Sequence, residues 1–214
     1  MILQLKLFKY IEVSGNKVWY AEMLNSSITD ELDALQTGEL VLGSYLDGIC
    51  DRIDEEERTI HAFVAGKCDR VKIRSRGESL LKKYPEADKR PSLFGLPIGI
   101  KDIYRVDGYE TRCGSRLPPL LFEGQQASSV TRLLNAGAVS MGKTVTTEFA
   151  SYMPGPTRNP HRLNHTPGGS SSGSAAGVAR GFYPVSLGSQ TVGSVIRPAA
   201  FCGVFGFKPS FGRI

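Results

Sequence analysis

The chain has 214 residues, of which 41% are hydrophobic and 22% are charged, and its formal net charge is +5. This composition is typical of a globular domain that can bury a core, and it excludes an intrinsically disordered chain. No apolar run approaches the roughly 20 residues of a membrane-spanning helix, so the sequence predicts no membrane segment.

The basic excess is concentrated in residues 67–90, which hold nine of the 26 Lys and Arg residues. Carboxylates are interleaved among them, and Tyr84 is the only aromatic residue of the segment. A nucleic-acid surface usually combines a basic groove with aromatic side chains on which bases stack. The segment therefore predicts the solvated face of a helix or loop, and no nucleic-acid partner.

Residues 1–25 predict a β-hairpin extension, because apolar and charged residues alternate on both sides of Ser14-Gly15-Asn16-Lys17. The stretch lacks the apolar core and the small-residue cleavage site of a signal peptide. Residues 26–214 are predicted to form the main domain, which contains all the candidate catalytic residues.

Two helices are predicted after the hairpin. Ser27 begins "SITDELDALQTG", in which an N-cap serine is followed three residues later by an acid and finally by a glycine stop. In the second helix, Val41, Tyr45, Ile49 and Ile53 recur at intervals of four residues, as on one face of a helix.

Short apolar strands alternate with helices in the rest of the chain. "LFGLPIGIKD" predicts a buried strand that opens into a loop, and "SVTRLLNAGAVSMGKT" predicts a helix, a glycine stop and a strand. "SGSAAGVARG" predicts a helix of small residues, and "YPVSLGSQT" and "GVFGFKPS" predict two more strands. This alternation indicates an α/β fold, in which helices layer a sheet.

The cysteines are scattered without the spacing of a metal site: Cys50, Cys68, Cys113 and Cys202. They predict free thiols in a reducing cytoplasm, with no structural metal and no disulfides.

A segment rich in glycine and serine, "HTPGGSSSGSAAGVA" (165–179), lies between well-patterned segments and is therefore not predicted to be a linker. Within it, Gly169–Gly173 matches the G-x-S-x-G elbow of α/β-hydrolases, with Ser171 at its centre. That elbow needs a preceding strand and a later histidine. A loop containing proline and asparagine precedes it, and the histidines all lie upstream: His61, His161 and His165. The elbow is therefore excluded within this chain.

A serine that reacts without a histidine can use a lysine as its base. An ordinary lysine has a pKa near 10.4, so half-neutrality at pH 7 needs a decrease of about 3 pKa units, or ~4 kcal/mol, which burial can supply. Lys101, at the end of the apolar run "LPIGIKDIY", fits this requirement. Lys143 in "SMGKTVTTEFA" is a competitor on the same grounds, and Lys208 is a weaker third candidate.

Three segments together resemble the successive motifs of the amidase signature family: "GLPIGIKD", "RNPHRLNHTPGGSSSGSAAGVA" and "GSQTVGSVIRPAAFCGVFGFKPSFGR". The resemblance runs from about residue 38 to the end. It implies a mixed β-sheet covered by helices on both sides, and hydrolysis of an amide by a Ser-cisSer-Lys triad. It also implies that no metal or organic cofactor is needed.

Matched residue by residue, the resemblance makes Lys101 the base and Lys143 a structural residue. Ser170 becomes the bridging serine, preceded by a cis peptide bond from Gly169, and Ser194 becomes the nucleophile that forms an acyl-enzyme. Three other serines of the segment become hydrogen-bonding scaffold: Ser171, Ser172 and Ser174.

The backbone N–H groups of Thr191, Val192 and Gly193 are the implied oxyanion hole. Val192 stands where the family commonly has glycine, and a positive φ there would strain a β-branched residue. Arg197 is a candidate for binding a substrate carboxylate.

The leading functional prediction is a cytoplasmic amidase that hydrolyses a small carboxamide. The alternatives are the glutaminase component of a tRNA-dependent amidotransferase and a truncated, non-catalytic remnant. Amidase signature proteins continue well past "GFKPSFGR", so the 214 residues are expected to be a fragment that lacks the C-terminal half. Alone, they are expected to be poorly active, aggregation-prone or homo-oligomeric, because a sheet edge would remain unpaired.

Overall fold

The structure is a computed structural model that describes residues 2–4, 9–13, 16–20, 27–64, 66 and 68–213. The strands are β1 (Ile2–Gln4), β2 (Lys9–Val13), β3 (Asn16–Tyr20), β4 (Pro97–Lys101), β5 (Val139–Thr144), β6 (Val185–Leu187) and β7 (Phe205–Phe207). The α-helices are α1 (Ile28–Thr37), α2 (Leu42–Ile60), α3 (Arg70–Lys83), α4 (Ser128–Asn135), α5 (Ser172–Ala179) and α6 (Ile196–Cys202). Within the described ranges, no helix is both long enough and apolar enough to cross a membrane.

The main sheet has five strands in the order β5-β4-β6-β1-β7. β4 runs parallel to both β5 and β6, whereas β1 is antiparallel to β6 and to β7. The predicted α/β class and the mixed sheet are therefore confirmed. Because β4 and β6 are parallel neighbours, their carboxyl ends meet at one edge of the sheet.

Helices cover both faces of this sheet. On one face, Ile98 and Ile100 of β4 belong to an apolar cluster that includes Val130 of α4 and packs against Leu32 of α1. Gly99 points to the other face and lies under Tyr183, which belongs to the larger cluster formed with α2, α3, α5 and α6. The two-sided layering that the resemblance implies is confirmed.

The three N-terminal strands belong to two different sheets. β2 and β3 pair antiparallel, with Val13 opposite Asn16, while residues 14 and 15 of the predicted turn lie outside the described residues. β1 lies instead in the main sheet between β6 and β7. The boundary at residues 25 and 26 also falls outside the described residues, so the division into two units stays a prediction.

The first two helices follow the sequence signals closely. Ser27 and Asp30 form a reciprocal capping box at the start of α1, and Gly38 ends the helix with φ +86°. α2 continues past the predicted apolar residues to Ile60. Val41 lies outside its apolar face, because it is the N-cap of α2 and is 62% exposed.

Most of the basic segment lies in the helix α3. Ile73, Gly77 and Leu80 are buried, while Lys82 and Lys83 are exposed. Arg74 donates two hydrogen bonds to Asp47 of α2, at 2.7 and 2.9 Å. Arg74 thus links α3 to α2.

The small residues of α5 allow this helix to pack directly on backbone. A Cβ on Gly173 would collide with the carbonyl oxygen of Ala62 and the backbone nitrogen of Val145, and one on Gly177 would collide with Tyr183. Tyr183 donates a hydrogen bond from its hydroxyl to the Gly173 carbonyl at 2.8 Å. The glycines therefore fix how closely α5 approaches its neighbours, and with it the position of the loop that precedes α5.

Gly173→Ala is expected to lower the free energy of unfolding by about 3 kcal/mol, because the new methyl group meets backbone atoms that cannot move aside. Gly48→Ala is the matched control: Gly48 lies inside α2 with nothing within 4 Å of the added Cβ. It should raise stability by about 0.8 kcal/mol through helix propensity. Urea unfolding of both variants measures the difference, and equal effects of the two substitutions would contradict this account of α5.

Candidate active site

Lys101 ends β4 and is completely buried. Its Nζ lies 2.6 Å from the Oγ of Ser170. Burial disfavours the ammonium form and lowers the pKa of Lys101 from 10.5 to about 7. Burial at the end of β4 therefore supplies the shift that a lysine base requires at neutral pH.

Ser170 lies in the loop that enters α5, with its side chain completely buried. The peptide bond between Gly169 and Ser170 is cis, as the family resemblance implies. The N–H of Thr147 donates to the Ser170 carbonyl at 3.1 Å, and Nε of Arg197 donates to the Gly169 carbonyl at 3.0 Å. Gly168 adopts φ +76°, and a Cβ added to it would lie 3.0 Å from the α-carbon of Pro198, so this turn needs glycine. The backbone around Ser170 is thus held from several sides.

Lys143, the competing lysine, is occupied by an ion pair. Its Nζ donates to Asp102 at 2.7 Å and to the hydroxyl of Thr111 at 2.9 Å. Burial lowers the pKa of Lys143, while the charge of Asp102 opposes that decrease. Lys208, the third candidate, is exposed and donates to the carbonyl of Pro209. Of the three lysines, the structure brings only Lys101 to a serine hydroxyl.

Ser194 is half-buried and lies just before α6. Its carbonyl accepts a hydrogen bond from the N–H of Ser171 at 3.0 Å, which ties its backbone to the loop carrying Ser170. Among the hydrogen bonds of the described ranges, none joins the hydroxyls of Ser194 and Ser170. The structure therefore brings Lys101 and Ser170 into direct contact and connects Ser194 to them through the backbone.

The predicted oxyanion segment is open to solvent. Thr191 is exposed, the side chain of Val192 is 94% exposed, and Gly193 is half-buried. Val192 is not one of the described residues with positive φ, so the strain expected of a valine there does not arise. No hydrogen bond between described residues uses the N–H groups of these three residues.

The other serines of the segment have internal partners. Ser171 is fully buried and donates to the Ser189 carbonyl at 3.3 Å. Ser172 donates to the Val145 carbonyl at 3.3 Å, and Ser174 donates to that of Leu187 at 3.4 Å. These contacts fit the predicted scaffold and give no support to Ser171 as the nucleophile of a hydrolase elbow.

Arg197, predicted to bind a substrate carboxylate, is exposed, and its Nε is bonded to the Gly169 carbonyl. This contact favours a role in holding the loop around Ser170. Binding of a carboxylate by the rest of its guanidinium stays a prediction.

Two polar residues of the loop after β6 were missed by sequence analysis. Ser189 accepts a hydrogen bond from Lys101 Nζ at its Oγ, at 2.9 Å. Gln190 accepts from the N–H groups of Val195 and Ile196, both at 3.0 Å, and so fixes the start of α6. A signal for Ser189 exists, since a polar residue just after β6 should meet the residue that ends its parallel neighbour β4.

The sequence was compared with models of known protein families. The family model named Amidase matches residues 45–214. The chain therefore belongs to the amidase family.

The relatives and the similar structures give the same assignment. A glutamyl-tRNA(Gln) amidotransferase subunit from Lysinibacillus sphaericus is 39% identical over 192 residues, which are 86% of this chain and 38% of that protein. A native peptide amidase from Stenotrophomonas maltophilia superposes with a TM-score of 0.75 at 29% identity, over 85% of this chain and 39% of that one. A vestigial protein complex described as revealing the evolutionary origins of an s-triazine catabolic enzyme gives 0.79 at 33% identity, over 88% and 42%. This chain spans about two fifths of the length of the curated relatives it matches.

Proposed function

We propose that this chain carries the catalytic groups of an amidase that cleaves the C–N bond of a small carboxamide through a serine acyl-enzyme. The observation that carries the proposal is the buried contact of 2.6 Å between Lys101 Nζ and Ser170 Oγ. A lysine with a pKa of about 7 is half-neutral at physiological pH, so it can accept a proton there.

In the first step, neutral Lys101 takes the proton of the Ser170 hydroxyl, and Ser170 takes the proton of Ser194. The Ser194 hydroxyl has to turn toward Ser170 for this transfer. Ser194 Oγ then attacks the carbonyl carbon of the amide and forms a tetrahedral intermediate. The proton that left Ser194 is carried by Lys101 as an ammonium group, whose positive charge balances the negative charge of the intermediate.

The negative charge that develops on the carbonyl oxygen is stabilised by the backbone N–H groups of Thr191, Val192 and Gly193. An oxyanion-hole donor is typically worth about 3 kcal/mol in the transition state. The intermediate collapses as the C–N bond breaks, and Lys101 returns its proton to the leaving nitrogen through Ser170. Water, activated by the same relay, then hydrolyses the acyl-enzyme and releases the carboxylic acid.

A second candidate function is the glutaminase step of a tRNA-dependent amidotransferase. It is favoured by the curated relatives, since proteins named as glutamyl-tRNA(Gln) amidotransferase subunits match this chain at 34 to 39% identity. The peptide amidase among the similar structures favours the first candidate. Both functions would use the same serine–lysine chemistry and would differ in the amide that enters the site.

We also propose a cytoplasmic location and a homo-oligomeric state for this protein. All four cysteines are free, which suits a reducing cytoplasm. On the edge strand β7, Phe205 is 73% exposed and Phe207 is 61% exposed. An apolar sheet edge favours pairing with another polypeptide, and a homo-oligomer is the arrangement that we propose.

Ammonia release from aliphatic, aromatic and dicarboxylic amides and from glutamine tests the two functions. We expect turnover of simple carboxamides, with no requirement for a metal. A Ser194→Ala preparation purified in parallel is the control for contaminating amidases. Turnover of glutamine alone would support the amidotransferase role. Absence of both turnover and covalent labelling of Ser194 would overturn both and indicate a non-catalytic remnant.

A further inference from the structure

Lys101 has a second polar partner, which the proposed proton relay does not use. Besides Ser170, its Nζ lies 2.9 Å from the Oγ of Ser189 and 3.5 Å from the Ser189 carbonyl oxygen. Ser189 is half-buried in the loop after β6, at the sheet edge where β4 also ends. One residue thus presents two acceptor atoms to a lysine that is otherwise completely enclosed.

The two acceptor atoms of Ser189 match the hydrogen-bonding needs of a neutral lysine amine. A neutral amine has two N–H bonds and one lone pair, whereas an ammonium group has three N–H bonds and no lone pair. Lys101 can take a proton from Ser170 only when its lone pair faces the Ser170 hydroxyl. The two N–H bonds must then point elsewhere, and in a buried site they need acceptors. The hydroxyl oxygen of Ser189 provides the stronger acceptor, and its carbonyl provides a longer and weaker one.

We propose that Ser189 is a positioning residue. It accepts hydrogen bonds from the N–H groups of neutral Lys101 and so directs the lysine lone pair at Ser170. The inference rests on the proposed function, in which Lys101 is the base. In this role Ser189 acts only through the orientation of the lysine.

Ser189 is itself held in place by its neighbours. Its N–H donates to the hydroxyl of Ser171 at 3.4 Å, and that hydroxyl donates to the Ser189 carbonyl at 3.3 Å. The hydroxyl of Tyr104 donates to the carbonyl of Gly188 at 2.9 Å. These contacts fix the peptide groups on both sides of Ser189, so its hydroxyl meets Lys101 in a defined direction.

Three charged or titratable residues close to Lys101 or Ser170 in the chain or in space have partners of their own. Asp102, the residue after Lys101, is paired with Lys143. Arg197 donates to the Gly169 carbonyl, and Tyr104 donates to the Gly188 carbonyl. Desolvation is the cause of the lowered pKa of Lys101.

The test replaces Ser189 and measures both the pKa of Lys101 and the kinetic constants of amide hydrolysis. Ser189→Ala should lower kcat about 10- to 100-fold with little change in KM, because a small displacement of a catalytic group has an effect of that size. It should also lower the pKa of Lys101, since the ammonium form loses an acceptor. Ser189→Cys keeps the shape with a weak acceptor and should change both quantities in the same direction. Ser189→Thr keeps the hydroxyl and should restore both.

Ser186→Ala is the matched control, because Ser186 is a fully buried serine of β6 whose hydroxyl donates to the Gly99 carbonyl and not to the site. NMR titration of the protein labelled with ¹³C at the lysine ε-carbons gives the pKa of Lys101, and kcat and KM are measured over the same pH range. An unchanged pKa and kcat in Ser189→Ala would overturn the inference, as would equal losses in Ser189→Ala, Ser189→Thr and Ser186→Ala. The titration measures the pKa of Lys101 and does not depend on turnover. Failure of the proposed amidase function is recognised separately, by the absence of turnover and of covalent labelling at Ser194 in the unaltered protein.

Discussion

Ser194→Ala is expected to abolish amide turnover, with a loss of roughly 10⁴-fold or more, and to prevent covalent labelling by a fluorophosphonate. Removing a nucleophile cannot be compensated by the groups that bind substrate, so losses of this size are usual. The hydroxyl of Ser194 has no side-chain hydrogen bond with Ser170 in the described structure, and the residue is only half-buried. The free energy of unfolding should therefore change by less than about 0.5 kcal/mol.

Ser172→Ala is the appropriate companion variant. It removes a buried hydroxyl from the same glycine- and serine-rich segment, where Ser172 donates to the Val145 carbonyl. We expect it to retain labelling at Ser194 and most of the turnover. Peptide mapping of the labelled protein identifies the modified serine. A label on Ser171 would restore the hydrolase-elbow hypothesis and remove the basis of the triad.

Much of the fold could be predicted because its signals are local. The capping box of Ser27 and Asp30 needs only residues three apart, and the buried face of α2 needs only helical spacing. The five residues of β4 are all buried, as a short apolar run indicates even though Gly and Pro interrupt it. Each of these elements is specified within about twenty residues of sequence.

The position of β1 could not be predicted in this way. Ile2–Gln4 pairs with Val185–Leu187 and with Phe205–Phe207, roughly 180 to 200 positions further along the chain. Nothing in a three-residue strand specifies partners at that separation. The same limitation hid Ser189, whose role depends on the parallel alignment of β4 and β6.

The two buried lysines illustrate what sequence alone leaves open. Lys101 and Lys143 both lie near the ends of adjacent parallel strands, so apolar surroundings favour each of them equally as a base. Their partners distinguish them in the structure. Lys143 faces a carboxylate, which stabilises its ammonium form, whereas Lys101 faces hydroxyls. Spatial neighbours of this kind are visible only once the strands are assembled.

Lys101→Met is expected to lower turnover nearly as much as Ser194→Ala, because the relay loses its base. In the unaltered protein, kcat/KM should rise with pH through about 7, as the buried amine loses its proton. Lys143→Ala should reduce the activity of the folded protein less, since Lys143 pairs with Asp102 and does not contact Ser170. The assignment of the base to Lys101 is wrong if Lys143→Ala lowers turnover more than Lys101→Met does. It is also wrong if kcat/KM does not fall as the pH is lowered below about 7.

The pH dependence of the free energy of unfolding tests the lowered pKa of Lys101 independently of activity. Between pH 7 and 10.5 the unfolded chain binds a proton at this residue that the folded chain does not, so the unaltered protein should become more stable as the pH rises through that window. At pH 7 the buried amine costs about 4 to 5 kcal/mol. Lys101→Met removes that cost but leaves the buried Ser170 hydroxyl without its partner, a loss of about 1 to 3 kcal/mol. The variant should therefore be inactive yet more stable than the unaltered protein at pH 7, and its advantage should disappear near pH 10.5. Urea unfolding at both pH values measures this, and a variant that is destabilised equally at the two would indicate that Lys101 is an ordinary structural ammonium group.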